Sequence, residues 1–135
     1  MPDFTIDAPS GVQQNAKEKM LREITEALDE AFHFPDIRGW LREYPAENVS
    51  QDGRVGAEPV RPTVMLYVPE FDSLDVKRNL VDKIESAIGA AYEGIANVDE
   101  VLLFFNHYPL ENVGWKRSLQ SDKPEFLAAV QQLNQ

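Results

Sequence analysis

The sequence predicts an α+β fold: two tandem βαβ units forming one four-stranded mixed sheet, two helices on one face of it, and a short C-terminal helix. Three observations carry this. Aligned with itself at an offset of 60, the chain pairs Pro2 with Pro62, Pro9 with Pro69, Lys17 with Lys77, Ile24 with Ile84 and Ala27 with Ala87. Further on the offset grows to 64, and "YPAENV" (Tyr44 to Val49) meets "YPLENV" (Tyr108 to Val113). Within each half, short β-branched and aromatic runs flank one long amphipathic stretch, the pattern of a strand, a helix and a second strand.

The elements follow in order. "FTIDA" is the opening strand. "NAKEKMLREITEALDEAF" is the first helix, with Met20, Leu21, Ile24, Leu28 and Phe32 at the spacing of one apolar face. "IRGWLREY" closes the first unit. A strand, a crossover helix and a parallel strand form a right-handed unit whose helix covers one sheet face. "PAENVSQDGRVGAEPVRP" is rich in Pro, Gly and polar residues and reads as a loop or short hairpin between halves. "TVMLYV" opens the second unit. "LDVKRNLVDKIESAIGAAY" is its helix, with Ser73 or Asp75 as N-cap and Gly94 as the stop. "DEVLLFFNHY" closes it. In the tail, "DKPEFLAAVQQLNQ" is a small helix with Ser121 or Asp122 as cap and Pro124 in its first turn.

Composition narrows the function. The 135 residues form a single domain, 1–135, with repeats at 2–49 and 62–113; 43% hydrophobic content suffices for a modest core. Lys+Arg number 13 against 23 Asp+Glu, a net charge of -10, so nucleic acid and anionic membrane surfaces are repelled. The absence of cysteine excludes disulfides, zinc-thiolate sites and thiol chemistry. There is no secretion-signal pattern, and no apolar run approaches the roughly 20 residues that span a bilayer, so a cytoplasmic protein is expected. "LLFF" (Leu102 to Phe105) sends apolar side chains to both sheet faces, which predicts burial of the second face in a homo-oligomer.

A proline directly after Met1, on the first strand of a duplicated βαβ unit, resembles the tautomerase superfamily. "DEVLLFFNHYPLENVGW" (Asp99 to Trp115) looks like the C-terminal part of macrophage migration inhibitory factor. The length and tail are more similar to the cis-3-chloroacrylic acid dehalogenase and malonate semialdehyde decarboxylase branches. The resemblance implies a homotrimer with sheets lining a central barrel, a small-molecule substrate, no cofactor, and a pocket at each N-terminal proline. It also implies that Pro2, freed by removal of Met1, is a catalytic secondary amine. An α-amino group titrates near ~7.7–8.0, and an apolar pocket or nearby cations lower it toward neutrality, where it can both take and give a proton. Pro62 holds the matching place but is an amide, unable to act as base. Strand geometry alone also accounts for a proline at that position.

Other residues match the family unevenly. The Glu-Gly-Arg that follows the first strand in members resembling 4-oxalocrotonate tautomerase is "APSGVQ" here, and the arginine pair of the dehalogenase and decarboxylase branches is replaced by Glu70 and Asp72. Leu102 and Phe104 stand where the inhibitory-factor family has Tyr and Asn. Arg38 falls near a second-strand arginine of the oxalocrotonate branch and is a candidate substrate ligand, a carboxylate or carbonyl being suited to its guanidinium; solvent exposure at a strand edge is the alternative. Arg42 shares its face if the strand is regular, either at the substrate or in a salt bridge. His107 titrates near neutrality and is a candidate acid or base, or a structural strand-end residue. Trp115, in "NVGW", is a pocket wall or a subunit contact. Val49 is a weaker pocket candidate, His33 reads as a helix cap or packing residue, and Lys116 with Arg117 as a cationic rim. Glu43, Glu47, Glu58, Glu70 and Asp72 are not spaced as a metal set, so no metal is expected. Two functions fit: an enzyme with an N-terminal proline acting on a small carbonyl, enol or unsaturated acid, or a noncatalytic trimeric binding or structural protein of the same fold.

Overall fold

Alternation of side chains along short strands, set against a 3.6-residue period in two long helices, forces each sheet to bury one face beneath its helices. The computed structural model, which describes residues 1–56 and 59–134, shows this arrangement. The chain runs β1 (Asp3–Pro9), α1 (Gln14–Phe32), β2 (Arg38–Tyr44), a hairpin of β3 (Ser50–Gln51) and β4 (Arg54–Val55), then β5 (Thr63–Pro69), α2 (Leu74–Tyr92) and β6 (Leu102–Tyr108). A second small hairpin, β7 (Gly114–Trp115) and β8 (Ser118–Leu119), leads to α3 (Pro124–Leu133). Ala57 and Glu58, in the linker, lie outside the described residues, as does Gln135.

The main sheet has the order β2-β1-β5-β6. β1 is parallel to β2 and antiparallel to β5, and β5 is parallel to β6, so the sheet is mixed. Phe4, Ile6 and Ala8 of β1 and Val64, Leu66 and Val68 of β5 are buried, facing the apolar stripes Met20, Ile24, Leu28 of α1 and Leu80, Ile84, Ile88 of α2. Each of these side chains larger than Ala8 contributes roughly 1.5–3 kcal/mol on leaving water. Gly39 of β2 lies under the Phe4 ring, where a Cβ would collide with the ring carbons, so this position requires glycine for the two strands to close up.

The two halves end their strands alike. Ser10 N–H donates to the Tyr44 carbonyl and Glu70 N–H to the Tyr108 carbonyl, both at 3.1 Å, and in each half a turn of 3-10 helix follows the proline after the tyrosine. Local details depart from expectation. Val98–Glu100 form a 3-10 turn capped by Asn97, so the strand expected from Asp99 starts at Leu102. Ser73 is the cap of α2, accepting from Val76 N–H at 3.2 Å, which decides between it and Asp75. The residue before α3 is Lys123; Asp122 instead accepts from Leu119 N–H, one turn earlier. His33 ends α1 in a left-handed conformation, φ 55°, with its N–H on the Asp29 carbonyl.

The opposite sheet face carries Arg38, Trp40 and Arg42, Asp3 and Asp7, Met65 and Tyr67, and Leu102, Phe104 and Asn106, by register and alternation. Trp40 is 56% exposed and Phe104 44%, an apolar surface with no covering layer within the described residues of this chain. No described helix is long and apolar enough to cross a membrane.

Candidate functional site

The antiparallel pairing of β1 with β5 carries the chain's N-terminus to the end of β5 beside Tyr108 of β6. There a cavity of about 460 Å³ opens, lined by Met1, Asp3, Asp36, Arg38, Tyr67, Tyr108, Val113, Gly114 and Trp115. Pro2 is buried behind Met1. With Met1 attached the Pro2 nitrogen is an amide, and the titrating amine is that of Met1. Burial pulls this amine down to about 5, against the opposing pull of Asp3 and Asp36. The N-terminus therefore sits where positive charge is poorly solvated despite two nearby carboxylates.

The carboxylates are themselves constrained. Burial raises the Asp3 carboxyl above the usual range, while the Trp40 side chain, the N-terminus and Arg38 pull the other way. Asp36 precedes β2 with φ 59°, an unusual conformation for a non-glycine residue, and accepts from Arg38 Nε at 3.2 Å. Arg38 remains 64% exposed at the cavity rim. Trp115 forms a wall: its ring packs against Phe126 of α3 at 5.6 Å between centroids, and Lys116 Nζ lies 4.5 Å from the ring centroid. Phe126 in turn stacks on Phe34, so the C-terminal helix fixes the wall of a cavity formed at the other end of the chain.

Tyr108 places its ring among these groups. Its hydroxyl is buried and has no hydrogen-bond partner among the described residues, and burial, with the Asp3 carboxylate, holds its ionisation well above the ordinary tyrosine range. It is therefore a neutral phenol.

The predicted site residues divide between places. Arg38 and Trp115 line the N-terminal cavity, and Pro2 is buried between two of its lining residues, Met1 and Asp3, without itself being one of them. Arg42 is on the same sheet face but at the far end of β2, beside a second cavity of about 380 Å³ that it shares with Asp7, Tyr44, Val49, Arg61 and Thr63. It is held by Asp7 in a two-pronged pair, Nε–Oδ1 2.9 Å and Nη2–Oδ2 3.0 Å. Four residues of strand, about 13 Å, separate it from Arg38. His107 pairs in register with Val68 and packs against Phe71 and Phe105 on the helix side, away from the N-terminal cavity. Burial lowers its pKa, Lys77 adds to this, and Glu70 and Asp72 oppose it.

Asp3, Asp36, Tyr67, Tyr108 and Val113 join the cavity without having been singled out from sequence. For Tyr108 and Val113 a signal existed, since both lie in the shared hexapeptide, which marks the repeat as much as the site. A larger groove, about 640 Å³, runs along α2 past Leu74, Lys77 and Asp82, but it is a surface furrow remote from the N-terminus. Among the described residues no group of three or more His, Asp or Glu side chains gathers as a metal site.

The sequence matches no family model and no curated protein. Solved structures do match. A fused 4-OT asymmetric trimer superposes with a TM-score of 0.78 at 18% identity, covering 89% of this chain and 97% of that one. Pt0534 inactivated by 2-oxo-3-pentynoate gives a TM-score of 0.70 at 19% identity, over 89% and 97% of the two chains. Malonate semialdehyde decarboxylase, solved in wild-type, inactivated and proline-to-alanine mutant forms, gives 0.64 at 16%, over 93% and 95%. Identities this low testify to architecture, and the architecture, with its mixed four-stranded sheet and paired crossover helices, is the fold of the tautomerase superfamily.

Proposed function

We propose that this chain is a tautomerase-superfamily enzyme in which Pro2, released by removal of Met1, acts as general acid and base on a small carbonyl, enol or unsaturated-acid substrate. One observation carries the reading: the N-terminal amine lies at a cavity large enough for a small molecule, in surroundings that hold an amine neutral at physiological pH. Removal of Met1 would transfer that role to a nitrogen one residue deeper, on a proline already buried. A neutral secondary amine there takes a proton from carbon next to a carbonyl; once protonated, it returns the proton to oxygen or to a second carbon. Arg38 at the rim orients or polarises the substrate, and Trp115 encloses it. The proline-to-alanine form of the malonate semialdehyde decarboxylase neighbour supports attention to an N-terminal proline.

The exposed sheet face with Trp40, Tyr67 and Phe104, together with the trimeric state of the fused 4-OT neighbours, supports a homotrimer of this chain. A noncatalytic trimeric binding or structural protein is the second reading, favoured by the engagement of Arg38 with Asp36 and by the acidic lining. Intact-mass measurement followed by a ketonisation assay on phenylpyruvate or 2-hydroxymuconate separates them. The enzymatic reading expects a chain lacking Met1 and a loss of about 10²–10⁴-fold on Pro2→Ala, the usual worth of a positioned acid-base group. Retained Met1, or activity indifferent to Pro2→Ala, would reject it.

A further inference from the structure

The two halves of the chain place a tyrosine at the same point, Tyr44 at the head of "YPAENV" and Tyr108 at the head of "YPLENV". Their backbones also match, each tyrosine lying opposite a proline that ends the neighbouring strand, Pro9 for Tyr44 and Pro69 for Tyr108. Their hydroxyls differ. Tyr44 Oη donates to Asp7 Oδ1 at 3.1 Å. At the offset of 60, the residue in the second half that corresponds to Asp7 is Tyr67, which supplies no carboxylate. Tyr108 Oη is buried without a partner among the described residues, at the cavity that holds the N-terminus. A buried hydroxyl left unpaired has given up water without a replacement, so the fold carries a penalty here that the matching tyrosine of the first half avoids. An acceptor that reached it from the cavity would relieve it.

The charges around that hydroxyl define the acceptor. Asp3 and Asp36 face the cavity with one cation, Arg38, and Arg38 is already bonded to Asp36. Among the described residues no further Lys or Arg lines it. A substrate carboxylate beside Tyr108 would meet two acids and one engaged guanidinium, whereas a neutral carbonyl or enol oxygen would meet a free O–H donor.

We infer that Tyr108 is a catalytic residue of this cavity, its hydroxyl donating to the oxygen of an uncharged enolisable carbonyl substrate while the Pro2 amine handles the carbon-bound proton. This rests on the reading of Pro2 given above. In the step, the C–H bond next to the carbonyl breaks as the amine N–H bond forms, and the electron pair moves to the carbonyl oxygen. Tyr108 holds that developing oxyanion by hydrogen bond and keeps its own proton. The protonated amine then delivers its proton to the oxygen, completing the enol, or runs the same sequence in reverse.

The test uses the full chain lacking Met1 and three arms. In the first, Tyr108→Phe, which keeps the ring and its packing, lowers kcat on the methyl ester of phenylpyruvate about 10²-fold with KM within about twofold, the worth of one donor at an oxyanion. In the second, the wild-type protein prefers the ester to the free acid in kcat/KM. In the third, protein labelled at tyrosine Cζ is titrated with benzamide, an unreactive neutral carbonyl, and the Tyr108 resonance shifts saturably. Pro2→Ala is run alongside: activity lost in Pro2→Ala but retained in Tyr108→Phe overturns this inference and leaves the Pro2 reading standing. Activity untouched by Pro2→Ala overturns the Pro2 reading first. If no turnover is seen, the titration decides, and absence of a saturable Tyr108 shift overturns the inference. Preference for the free acid overturns the assignment of substrate charge.

Discussion

Tyr92 ends α2 with its hydroxyl buried and without a hydrogen-bond partner among the described residues, and substituting it by phenylalanine should stabilise the protein. Tyr92 has 0% of its surface exposed. Burial pushes its phenol up to about 12, with Glu43 adding to the effect. Its counterpart at the offset of 60 is Phe32, which ends α1 and meets Phe71 edge-to-face at 5.3 Å with no hydroxyl at all. An unsatisfied hydroxyl costs about 1–3 kcal/mol. Deleting one oxygen leaves a small void, which at ~24 cal/mol per Å³ returns only a few tenths of a kcal/mol. Tyr92→Phe should therefore gain about 1 kcal/mol net. With an m-value of about 1–3 kcal/mol/M, the urea midpoint rises by about 0.3–1 M at unchanged slope. Measurements belong at one fixed protein concentration, since any self-association adds to apparent stability. The reciprocal Phe32→Tyr should destabilise by about 1–3 kcal/mol, because it buries a hydroxyl where none is accommodated. A midpoint that falls in Tyr92→Phe would show that the hydroxyl has a partner and would refute the reasoning.

Three further outcomes follow from the same structure. Alkaline unfolding should be linked to Tyr92: the unfolded phenol releases its proton near 10.0 and the folded one near 12, so stability is intact below pH 10 and falls between these values as the unfolded chain deprotonates first. The limiting slope is ~1.4 kcal/mol per pH unit for each such phenol, and Tyr92→Phe should flatten a plot of denaturation free energy against pH. Gly39→Ala should cost about 1–3 kcal/mol in chemical denaturation, since its Cβ meets the Phe4 ring; stability within error of wild type would mean that β2 yields there. Arg42→Gln should leave stability within error of wild type despite the two-pronged pair with Asp7, because the arginine side chain is 54% exposed, whereas Ser73→Ala should cost about 1 kcal/mol by uncapping α2. Thermal melts of the two variants side by side check that ordering.

How far the sequence reaches can be seen residue by residue. Met20, Ile24 and Leu28, and their counterparts Leu80, Ile84 and Ile88, declare a buried helical stripe because burial on one face imposes its period on the residues themselves. The crossover rule then makes β1 with β2, and β5 with β6, parallel. The start of β6 was not legible in the same way, since "DEVLLFFNHY" is apolar at consecutive positions and no alternation marks where the 3-10 turn gives way to strand.

Local pattern therefore determined the elements, their order and the pairing of like strands, all of which depend on neighbours within a few residues or on chain handedness. Only the tertiary structure decided which side chains meet. Arg38 and Arg42 share a face but stand at opposite ends of a strand; the parallel register of β1 with β2 gives the N-terminus to Arg38, and the antiparallel contact of β1 with β5 brings Arg61 to the Arg42 end. Parity in β6 sends His107 toward the helices and Tyr108 toward the cavity, one residue apart. Such assignments depend on register between segments tens of residues apart, and a single step of register exchanges one face of the sheet for the other.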